Sequence, residues 1–383
     1  MNAATSKNKL GVGIDGRVLT RYEMRGFARH TVELFRAMQE MAGDRISLTA
    51  FSPEPIAPEF LAMLDITPVV FSARREILWE QVELPRHLQA HGIEVFHVTA
   101  NRGLPYRHVC PYVLTCHDII DRLPEYCGRE PWRSRWRKGY ADFASRHSAD
   151  QYITVSNFSK QDICRFYGIA PGRVAVIYNA AHPRFSEVVP AEEIARVREK
   201  YRLPQAFFLF LGGFDKRKNV ATLVEAFAQL PHDVPALVLA GEHKWDFPAV
   251  AERITALGLG ARVVCPGTIA DEDLAALYQG AFALVHPSRY EGFGLQVVEA
   301  MASGIPVLAS NTTSLPEVLG RSGLLFDSED AGSIAQAMER IARNPELRAE
   351  LAANGRERAK FFSWHKAAEQ TLEIYRSLAP GAR

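Results

Sequence analysis

Two glutamates and a glycine-containing turn form the segment best suited to chemistry. Glu291 and Glu299 lie eight residues apart, with Gly292 and Gly294 between them. A strand pattern precedes the turn and a helical pattern follows it, so backbone N–H groups are exposed at a helix N-terminus, where anions bind. Carboxylates also accept hydrogen bonds in pairs from sugar or ribose hydroxyls. The segment therefore favours a nucleotide sugar over a bare phosphate as ligand.

The alternative is structural: Glu291 caps the helix and Glu299 lies on its solvated face. Against this, Glu299 is followed by Ala-Met-Ala-Ser-Gly and an apolar strand pattern. An unpaired charge is costly in such a place. Because Glu291 lies at a turn, we expect its replacement by alanine to abolish activity and to leave the fold intact.

A cationic cluster follows another apolar strand pattern. Gly212 and Gly213 precede Lys216, Arg217 and Lys218. Glycines let backbone approach a ligand, and the cations would neutralise the charge that develops on a departing diphosphate. A solvated turn is the alternative.

These residues need a framework of parallel sheets. Twelve short apolar runs alternate with helical patterns, which is typical of α/β sheets covered on both faces. Twelve strands are too many for one ordinary doubly wound sheet, so we expect two Rossmann-like domains that face a central cleft. The expected domains are residues 1–185 and 186–363, and a C-terminal helix at 364–383 is expected to pack back toward the first domain.

Charge and composition narrow the function classes. The 383 residues carry a formal net charge of +1, which argues against a nucleic-acid partner. The first 185 residues carry +5 and the remainder −4. Five cysteines without a C-x-x-C pair predict no disulfide framework or zinc site. Neither a signal peptide nor a membrane span is indicated, so we expect a cytoplasmic protein, at most peripheral on the inner face of the cytoplasmic membrane.

The run Pro-Ser-x-x-Glu291-Gly-Phe-Gly-Leu-x-x-x-Glu299-Ala-Met-Ala-x-Gly-x-Pro-Val resembles the donor signature of family 4 retaining glycosyltransferases. The resemblance implies the GT-B fold, with two Rossmann-like domains, and a nucleotide-sugar donor. It implies that Glu291 contacts the transferred sugar and Glu299 holds the ribose. The amides of Phe293, Gly294 and Leu295 would support the sugar and diphosphate.

The cationic cluster resembles the diphosphate clamp of the same family. Lys218 occupies the clamp lysine position, but Gly213 stands where many members carry an arginine, a role for which Arg217 is the candidate substitute. Gly212 belongs to the same turn. The resemblance also implies that the loops ending at Glu242 and Gly267 flank the nucleotide base. Asp271-Glu272-Asp273 is similar to a D-x-D metal site, but we interpret Asp271 as a helix cap. We expect no metal.

The first half carries weaker matches. Cys116-His117-Asp118 follows a strand pattern and resembles the family's T-x-H-D, which implies that His117 contacts the donor sugar. Asp118 is expected to orient that imidazole. The loop Arg25-Gly26-Phe27-Ala28-Arg29 resembles the family's G-I-G-R-Y, with Ala28 in place of the second glycine, and makes Gly26 and Arg29 candidate site residues.

A basic segment with two tryptophans runs from Arg129 to Lys138. Trp132 and Trp136 are four residues apart and share a helical face, with basic residues around them. Such a helix can lie in an anionic lipid interface. The alternative is that the tryptophans pack on their own domain. The predicted membrane contacts are Trp132, Arg133, Arg135, Trp136, Arg137 and Lys138.

Together these patterns predict a retaining hexosyltransferase. The branch that the chain resembles implies GDP-mannose or a related GDP-sugar as donor. The acceptor would be a saccharide, carried on a polyprenyl diphosphate, in bacterial O-antigen or exopolysaccharide assembly. A UDP-glucose or UDP-N-acetylglucosamine donor is the alternative. A GT-B epimerase and a non-catalytic sugar-nucleotide-binding subunit are rivals from other classes.

Overall fold

The computed structural model describes residues 9–22, 26–126 and 131–379. Arg25, Cys127, Arg129 and Glu130, which belong to the patterns above, lie outside these ranges. The chain divides into two compact units after Asn179. One unit combines the residues up to 179 with the chain from 364 onward, and the other spans 180–363. The first sequence boundary was placed at 185.

The N-terminal unit is built on a seven-stranded parallel sheet. The sheet order is β3-β2-β1-β4-β5-β6-β7. Its strands are β1 (Leu10–Asp15), β2 (Ile46–Ser52), β3 (Thr67–Val70), β4 (Val95–Val98), β5 (Tyr112–Thr115), β6 (Gln151–Thr154) and β7 (Val174–Val176). Its helices are α1 (Gly26–Ala42), α2 (Pro58–Met63), α3 (Glu76–Leu78), α4 (Leu84–Ala90), α5 (Trp132–Ser148), α6 (Asn157–Tyr167) and α15 (Trp364–Leu378).

The C-terminal unit is built on a six-stranded parallel sheet in the order β10-β9-β8-β11-β12-β13. Its strands are β8 (Phe207–Leu211), β9 (Ala236–Ala240), β10 (Val263–Gly267), β11 (Ala283–His286), β12 (Val307–Ser310) and β13 (Leu324–Phe326). Its helices are α7 (Ala191–Lys200), α8 (Val220–Ala228), α9 (Phe247–Ala256), α10 (Leu274–Gly280), α11 (Leu295–Ala302), α12 (Leu315–Leu319), α13 (Ala331–Arg343) and α14 (Pro345–Ala359).

Both sheets have the doubly wound order predicted for Rossmann-like domains. In the C-terminal unit the chain moves outward from β8 through β9 to β10, then returns to place β11 on the other side of β8. The carboxyl ends of β8 and β11 are therefore neighbours at the point where the strand order reverses. Ligands of open α/β sheets bind at such a point.

One strand of the N-terminal sheet has no clear sequence pattern. β3 is the edge strand of the sheet, pairs only with β2, and leaves three of its four residues exposed. It also contains Pro68, which is tolerated at an edge because it cannot donate to a ladder. Because β3 is exposed, its sequence lacks the apolar pattern of the other strands. The sequence predicted twelve strands, and the described residues form thirteen.

The C-terminal helix belongs to the N-terminal unit. α15 packs against α1, and Tyr375 on α15 is fully buried. The Tyr375 hydroxyl lies 2.5 Å from Nδ1 of His97 on β4, whose Nε2 lies 2.7 Å from the Thr115 hydroxyl. Burial lowers the pKa of His97 to about 3, so the imidazole is neutral and can accept a hydrogen bond at one ring nitrogen while it donates at the other. These polar contacts join α15 to β4 and β5 of the sheet.

Candidate active site

The centre of the candidate site is a buried ion pair between two turns. The turn after β11 carries Glu291, and a 3₁₀ turn after β8, Lys216–Lys218, carries the cations. One oxygen of Glu291, Oε1, accepts from Lys218 Nζ at 2.6 Å and from Arg217 Nη1 at 3.0 Å. Lys218 and Glu291 are 6% and 8% exposed, so solvent screens this pair little. The alternatives of a helix cap and a solvated turn are both wrong for these residues.

The backbone joins the same two turns. The Arg289 amide donates to the Arg217 carbonyl at 2.8 Å, and the Arg289 guanidinium donates to the Lys216 carbonyl at 3.0 Å. Arg217 in turn donates to the Tyr290 carbonyl at 3.0 Å. These bonds fix the positions from which the Glu291 and Lys218 side chains meet.

A third element holds the Glu291 backbone. The Glu291 amide donates to the Thr313 hydroxyl at 3.1 Å, and the Ser314 hydroxyl donates to the Glu291 carbonyl at 2.9 Å. Both residues lie between β12 and α12. Neither was predicted from sequence, because a Thr-Ser pair in a loop carries no distinctive signal.

His286, at the end of β11, completes the surroundings of Glu291. It is fully buried, and its Nε2 lies 3.2 Å from Glu291 Oε1. Burial lowers the His286 pKa, so the ring is neutral, and with a carboxylate as partner Nε2 carries the proton. Its Nδ1 has no hydrogen-bond partner among the described residues. Sequence reasoning gave His286 no role.

The charges of the pair respond to burial and to each other. Burial opposes ionisation of Glu291, but Lys218 and Arg217 outweigh it and hold the Glu291 pKa well below its usual range. Burial lowers the pKa of Lys218, while Glu291 opposes that shift. Glu291 is thus a carboxylate with three donors on Oε1. The three donors to this carboxylate all contact the same oxygen, Oε1.

Glycine is required where the turn enters α11. Gly294 is the N-cap residue of α11 and has φ +93°, a conformation that favours glycine. A Cβ at this position would lie 2.6 Å from Leu315 Cδ2. Phe293 is buried before it and Leu295 begins the helix, so the three predicted donor-binding residues lie together at a helix N-terminus.

Glu299 lies inside α11 and is 5% exposed, so it is not a solvated face residue. Its Oε2 accepts from the hydroxyl of Tyr278 on α10 at 2.9 Å. Tyr278 is fully buried. A tyrosine in an apolar helical pattern is normally interpreted as a core residue. Sequence reasoning therefore missed Tyr278, which orients Glu299.

Other predicted residues of the C-terminal unit lie at strand ends. Gly212 and Gly213 follow β8, and Gly267 ends β10 with φ +79°. In the Asp271–Asp273 turn, Asp271 pairs with Arg184 at 2.7 Å. Asp273 is fully buried and accepts from Arg196, Lys200 and Tyr201. Asp273, to which sequence reasoning gave no structural role, is therefore the buried residue that holds this turn.

His117 in the N-terminal unit is held differently from the prediction. It follows β5, is 8% exposed, and its Nε2 lies 3.0 Å from the Thr99 carbonyl. Burial lowers its pKa to about 4, so the ring is neutral. The Thr99 carbonyl therefore fixes the proton on Nε2. This corrects the role given to Asp118, whose carboxylate accepts from the Ile120 amide at 3.0 Å.

The loop predicted around Gly26 and Arg29 is the first turn of a helix. α1 begins at Gly26, five residues before the apolar helical pattern of the sequence, which starts at Thr31. Arg29 is 6% exposed. The Phe27 ring lies 4.9 Å from the His117 ring, so the start of α1 and the end of β5 are in contact.

The two tryptophans of α5 do not pack on their own domain. Trp132 and Trp136 are 67% and 75% exposed. The Arg133 guanidinium lies 5.5 Å from the Trp132 ring centroid, and Arg137 pairs with Glu76 at 2.6 Å. Arg135 is exposed on the same helix, and the Lys138 carbonyl accepts from Arg122. No helix among the described residues is long and apolar enough to cross a membrane.

Two Rossmann-like domains of this strand order form the GT-B fold found in glycosyltransferases. Residues 24–185 match the model described as Glycosyltransferase Family 4, and residues 192–358 match Glycosyl transferases group 1. The chain belongs to glycosyltransferase family 4 and is a hexosyltransferase.

Known proteins give the same family and fold. The chain is 34% identical over 271 residues to the O-antigen chain mannosyltransferase B of Escherichia coli, with 70% of each chain covered. It is 33% identical over 287 residues to the serotype-specific mannosyltransferase WbdA of Escherichia coli, covering 72% of this chain but only 34% of that longer protein. The Anabaena protein Alr3699/HepE, solved in complex with UDP-glucose, aligns with a TM-score of 0.75 at 20% identity, over 96% of this chain and all of that one.

The buried ion pair predicts that replacing Glu291 destabilises the fold, whereas the sequence led us to expect that the fold would stay intact. Glu291→Gln leaves Lys218 buried without its anion, and we expect a loss of about 3–5 kcal/mol in the free energy of unfolding. Adding Lys218→Met removes the more deeply buried of the two cations and should restore most of that loss, because Arg217 keeps Asp215 as a partner at 3.4 Å. Denaturant unfolding followed by circular dichroism measures both changes.

The control is Glu329→Gln, which breaks the exposed pair with Arg289. Because Glu329 is 62% exposed, this change should cost less than about 1 kcal/mol. A double variant as unstable as Glu291→Gln alone, or a Glu291→Gln cost equal to that of the control, would contradict the buried pair.

Proposed function

We propose that this chain transfers a mannosyl group, or a closely related hexosyl group, from a GDP-sugar to a saccharide acceptor with retention of configuration. The acceptor is carried on a polyprenyl diphosphate, at the cytoplasmic face of the membrane, in bacterial surface polysaccharide assembly. The observation that carries the proposal is the buried Lys218–Glu291–Arg217 cluster at the switch point of the C-terminal sheet. The similarity to mannosyltransferases of O-antigen synthesis supports the sugar.

The cluster fits the charge changes of glycosyl transfer. When the bond between the anomeric carbon and the diphosphate oxygen breaks, negative charge develops on the leaving group. Lys218 and Arg217 supply two positive charges at the end of β8, and the N-terminus of α11 adds a partial positive charge. In this proposal the diphosphate needs no metal ion beside these groups.

Glu291 and Glu299 divide the remaining contacts. Oε1 of Glu291 is held by three donors, so Oε2 is the oxygen available to accept from a sugar hydroxyl. Glu299, oriented by Tyr278, takes the ribose hydroxyls. Phe293, Gly294 and Leu295 present the start of α11 to the sugar and the diphosphate.

Retention follows from attack on the face from which the diphosphate leaves. The acceptor hydroxyl forms the new bond to the anomeric carbon as the bond to the diphosphate oxygen breaks, and the departing phosphate takes the hydroxyl proton. Neutral His117 lies at a strand end of the N-terminal unit, and in this proposal it contacts the donor sugar, with Gly26 and Arg29 nearby. UDP-sugars are the alternative donors, since the similarly folded HepE was solved with UDP-glucose.

A cavity in the N-terminal unit supports a saccharide acceptor. It has a volume of about 270 Å³, and its lining includes Asp15, Arg17 and Glu80. Arg17 pairs with both carboxylates, and its guanidinium lies 5.0 Å from the Trp79 ring centroid. Fixed carboxylate and guanidinium groups suit the hydroxyls of a sugar. Arg137, Lys138 and Tyr140 of α5 form another wall of the cavity.

The donor can be tested by thermal stability against GDP-, UDP-, ADP- and dTDP-sugars. A ligand that binds only the folded state at about 100 times its Kd raises the free energy of unfolding by about 2.7 kcal/mol. We expect GDP-mannose to give the largest rise in Tm, and Glu299→Gln to abolish that rise. Release of GDP should then require a lipid-linked saccharide.

The outcomes separate the candidates. A rise in Tm only with UDP-sugars would show that the donor is a UDP-sugar. Product formation without an acceptor would indicate an epimerase instead of a transferase. Binding without turnover, in the presence of the acceptor, would indicate a non-catalytic module.

Membrane contact is tested on α5. Trp132→Ala and Trp136→Ala combined with Arg135→Ser and Arg137→Ser should weaken co-sedimentation with vesicles that contain anionic lipid, because the change removes exposed aromatic area and two charges. The matched control is Phe166→Ala with Arg165→Ser on α6, where the phenylalanine is 47% exposed. Unchanged co-sedimentation of the α5 variant would contradict the membrane contact.

A further inference from the structure

Trp245 is an exposed aromatic residue in a backbone conformation that such residues rarely adopt. It lies in the loop between β9 and α9, is 65% exposed, and has φ +54°. A bulky residue in the left-handed region persists only where its surroundings hold it, and such residues concentrate at ligand sites.

The loop around Trp245 is tightly held. The Lys244 amide donates to the Glu242 carbonyl, and the Phe247 amide donates to the Lys244 carbonyl. The His243 ring stacks on the Phe247 ring at 3.7 Å, nearly parallel, and Phe247 packs against Phe214. These contacts hold the loop on both sides of Trp245, whose side chain stays exposed.

The indole covers the position where the sequence departs from the family pattern. A Cβ on Gly213 would lie 2.8 Å from Trp245 Cζ3, too close for any side chain unless the ring moves. Gly213 is not among the residues with positive φ, so its backbone conformation does not favour glycine, and a side chain there would displace the Trp245 ring. The Trp245 ring thus occupies space that an arginine side chain at position 213 would need.

The same turn borders the ion pair. A Cβ on Gly212 would lie 3.5 Å from Lys218 Cε, which is ordinary contact. The Gly212 amide donates to the Ala240 carbonyl at the end of β9, so the loops after β8 and β9 are joined. The Gly212–Gly213 turn thus has Lys218 near Gly212 and the Trp245 ring near Gly213.

Glu299 lies on the other side of the sheet. α8 and α9 share one core with α13, whereas α11 packs on α10, α12 and α14. The tryptophan loop leads into α9, and Glu299 is on α11. In the proposed function Lys218 holds the diphosphate, so the part of a donor nearest to the Gly212–Gly213 turn, and to the Trp245 ring beside it, is the diphosphate with its sugar.

We propose that Trp245 is a specificity-determining residue that packs its ring against the hexosyl-diphosphate part of the donor, in the space that an arginine at 213 would need. This inference rests on the proposed function. The C–H face of a hexose packs on an aromatic ring. The ring also excludes water from the phosphate, which strengthens its attraction to Lys218 and Arg217 and offsets the missing cation.

The test compares three ligands of increasing length. Isothermal titration measures binding of GMP, GDP and GDP-mannose to the wild-type chain and to Trp245→Ala. We expect Trp245→Ala to weaken GDP-mannose about tenfold, GDP less, and GMP not at all, with Trp245→Phe in between. Leu325→Ala, an exposed apolar residue on the distant edge strand β13, is the control and should change none of them.

A loss of equal size for GMP would mean that Trp245 stacks on the base and would overturn the proposal, as would no loss for any ligand. If the wild-type chain binds only UDP-sugars, the same series with UMP, UDP and UDP-glucose decides the role of Trp245. The donor in the proposed function then fails while the role of Trp245 is still tested.

The link between Gly213 and Trp245 is tested by a double-mutant cycle. Gly213→Arg alone should lower Tm and weaken nucleotide-diphosphate binding, because its side chain must displace the indole. In the Trp245→Ala background the same substitution should be tolerated and should restore diphosphate binding. Equal effects of Gly213→Arg in both backgrounds would contradict the link.

Discussion

The site depends on one buried charge balance, the pairing of Glu291 with Lys218 and Arg217. Removing a carboxylate and an ammonium from water is costly, and the cost is offset only when the partners meet with good geometry. Here the geometry follows from topology. β8 and β11 are parallel neighbours at the reversal of strand order, and the turns that follow them are joined by backbone hydrogen bonds. The fold therefore places the anion and the cations together before any donor binds.

This arrangement gives Glu291 two tasks. In the structure its carboxylate balances the cations, with Lys218 at 2.6 Å. A donor diphosphate brings negative charge to the same cations, so in our account it shares or replaces the role of Glu291 as their counter-ion. The carboxylate is then free to bind the sugar. The two glutamates and their turn are held in the structure by contacts with Tyr278, His286, Thr313 and Ser314.

Sequence reasoning found the residues that carry charge in a distinctive pattern. Glu291 and Glu299 were found from their spacing around a glycine turn, and Lys218 from its position after a glycine pair. In the structure these residues follow β8 and β11, two neighbouring strands of the C-terminal sheet. The supporting residues were missed because a tyrosine in an apolar helix or a threonine in a loop is ordinary in composition. Trp245 was missed because its nearness to Gly213 brings together two loops that are distant in sequence.

Exposure explains the other differences. β3 lacks an apolar alternation because it is an exposed edge, and α1 begins earlier than its apolar pattern because its first turn contains glycine and arginine. The tryptophans of α5 share a helical face, as the spacing predicted, but only the structure shows that this face is uncovered. Asp118 was assigned to His117 by proximity in sequence, whereas the partner of His117 comes from the end of the neighbouring strand, β4.

The most direct test of the central claim is a crystal structure of the chain with a bound nucleoside diphosphate. The account predicts that Lys218 Nζ and Arg217 lie within hydrogen-bond distance of phosphate oxygens, while Glu291 keeps its backbone position with Oε2 toward the sugar site. A diphosphate bound away from this turn, with Lys218 and Arg217 still paired only to Glu291, would contradict it.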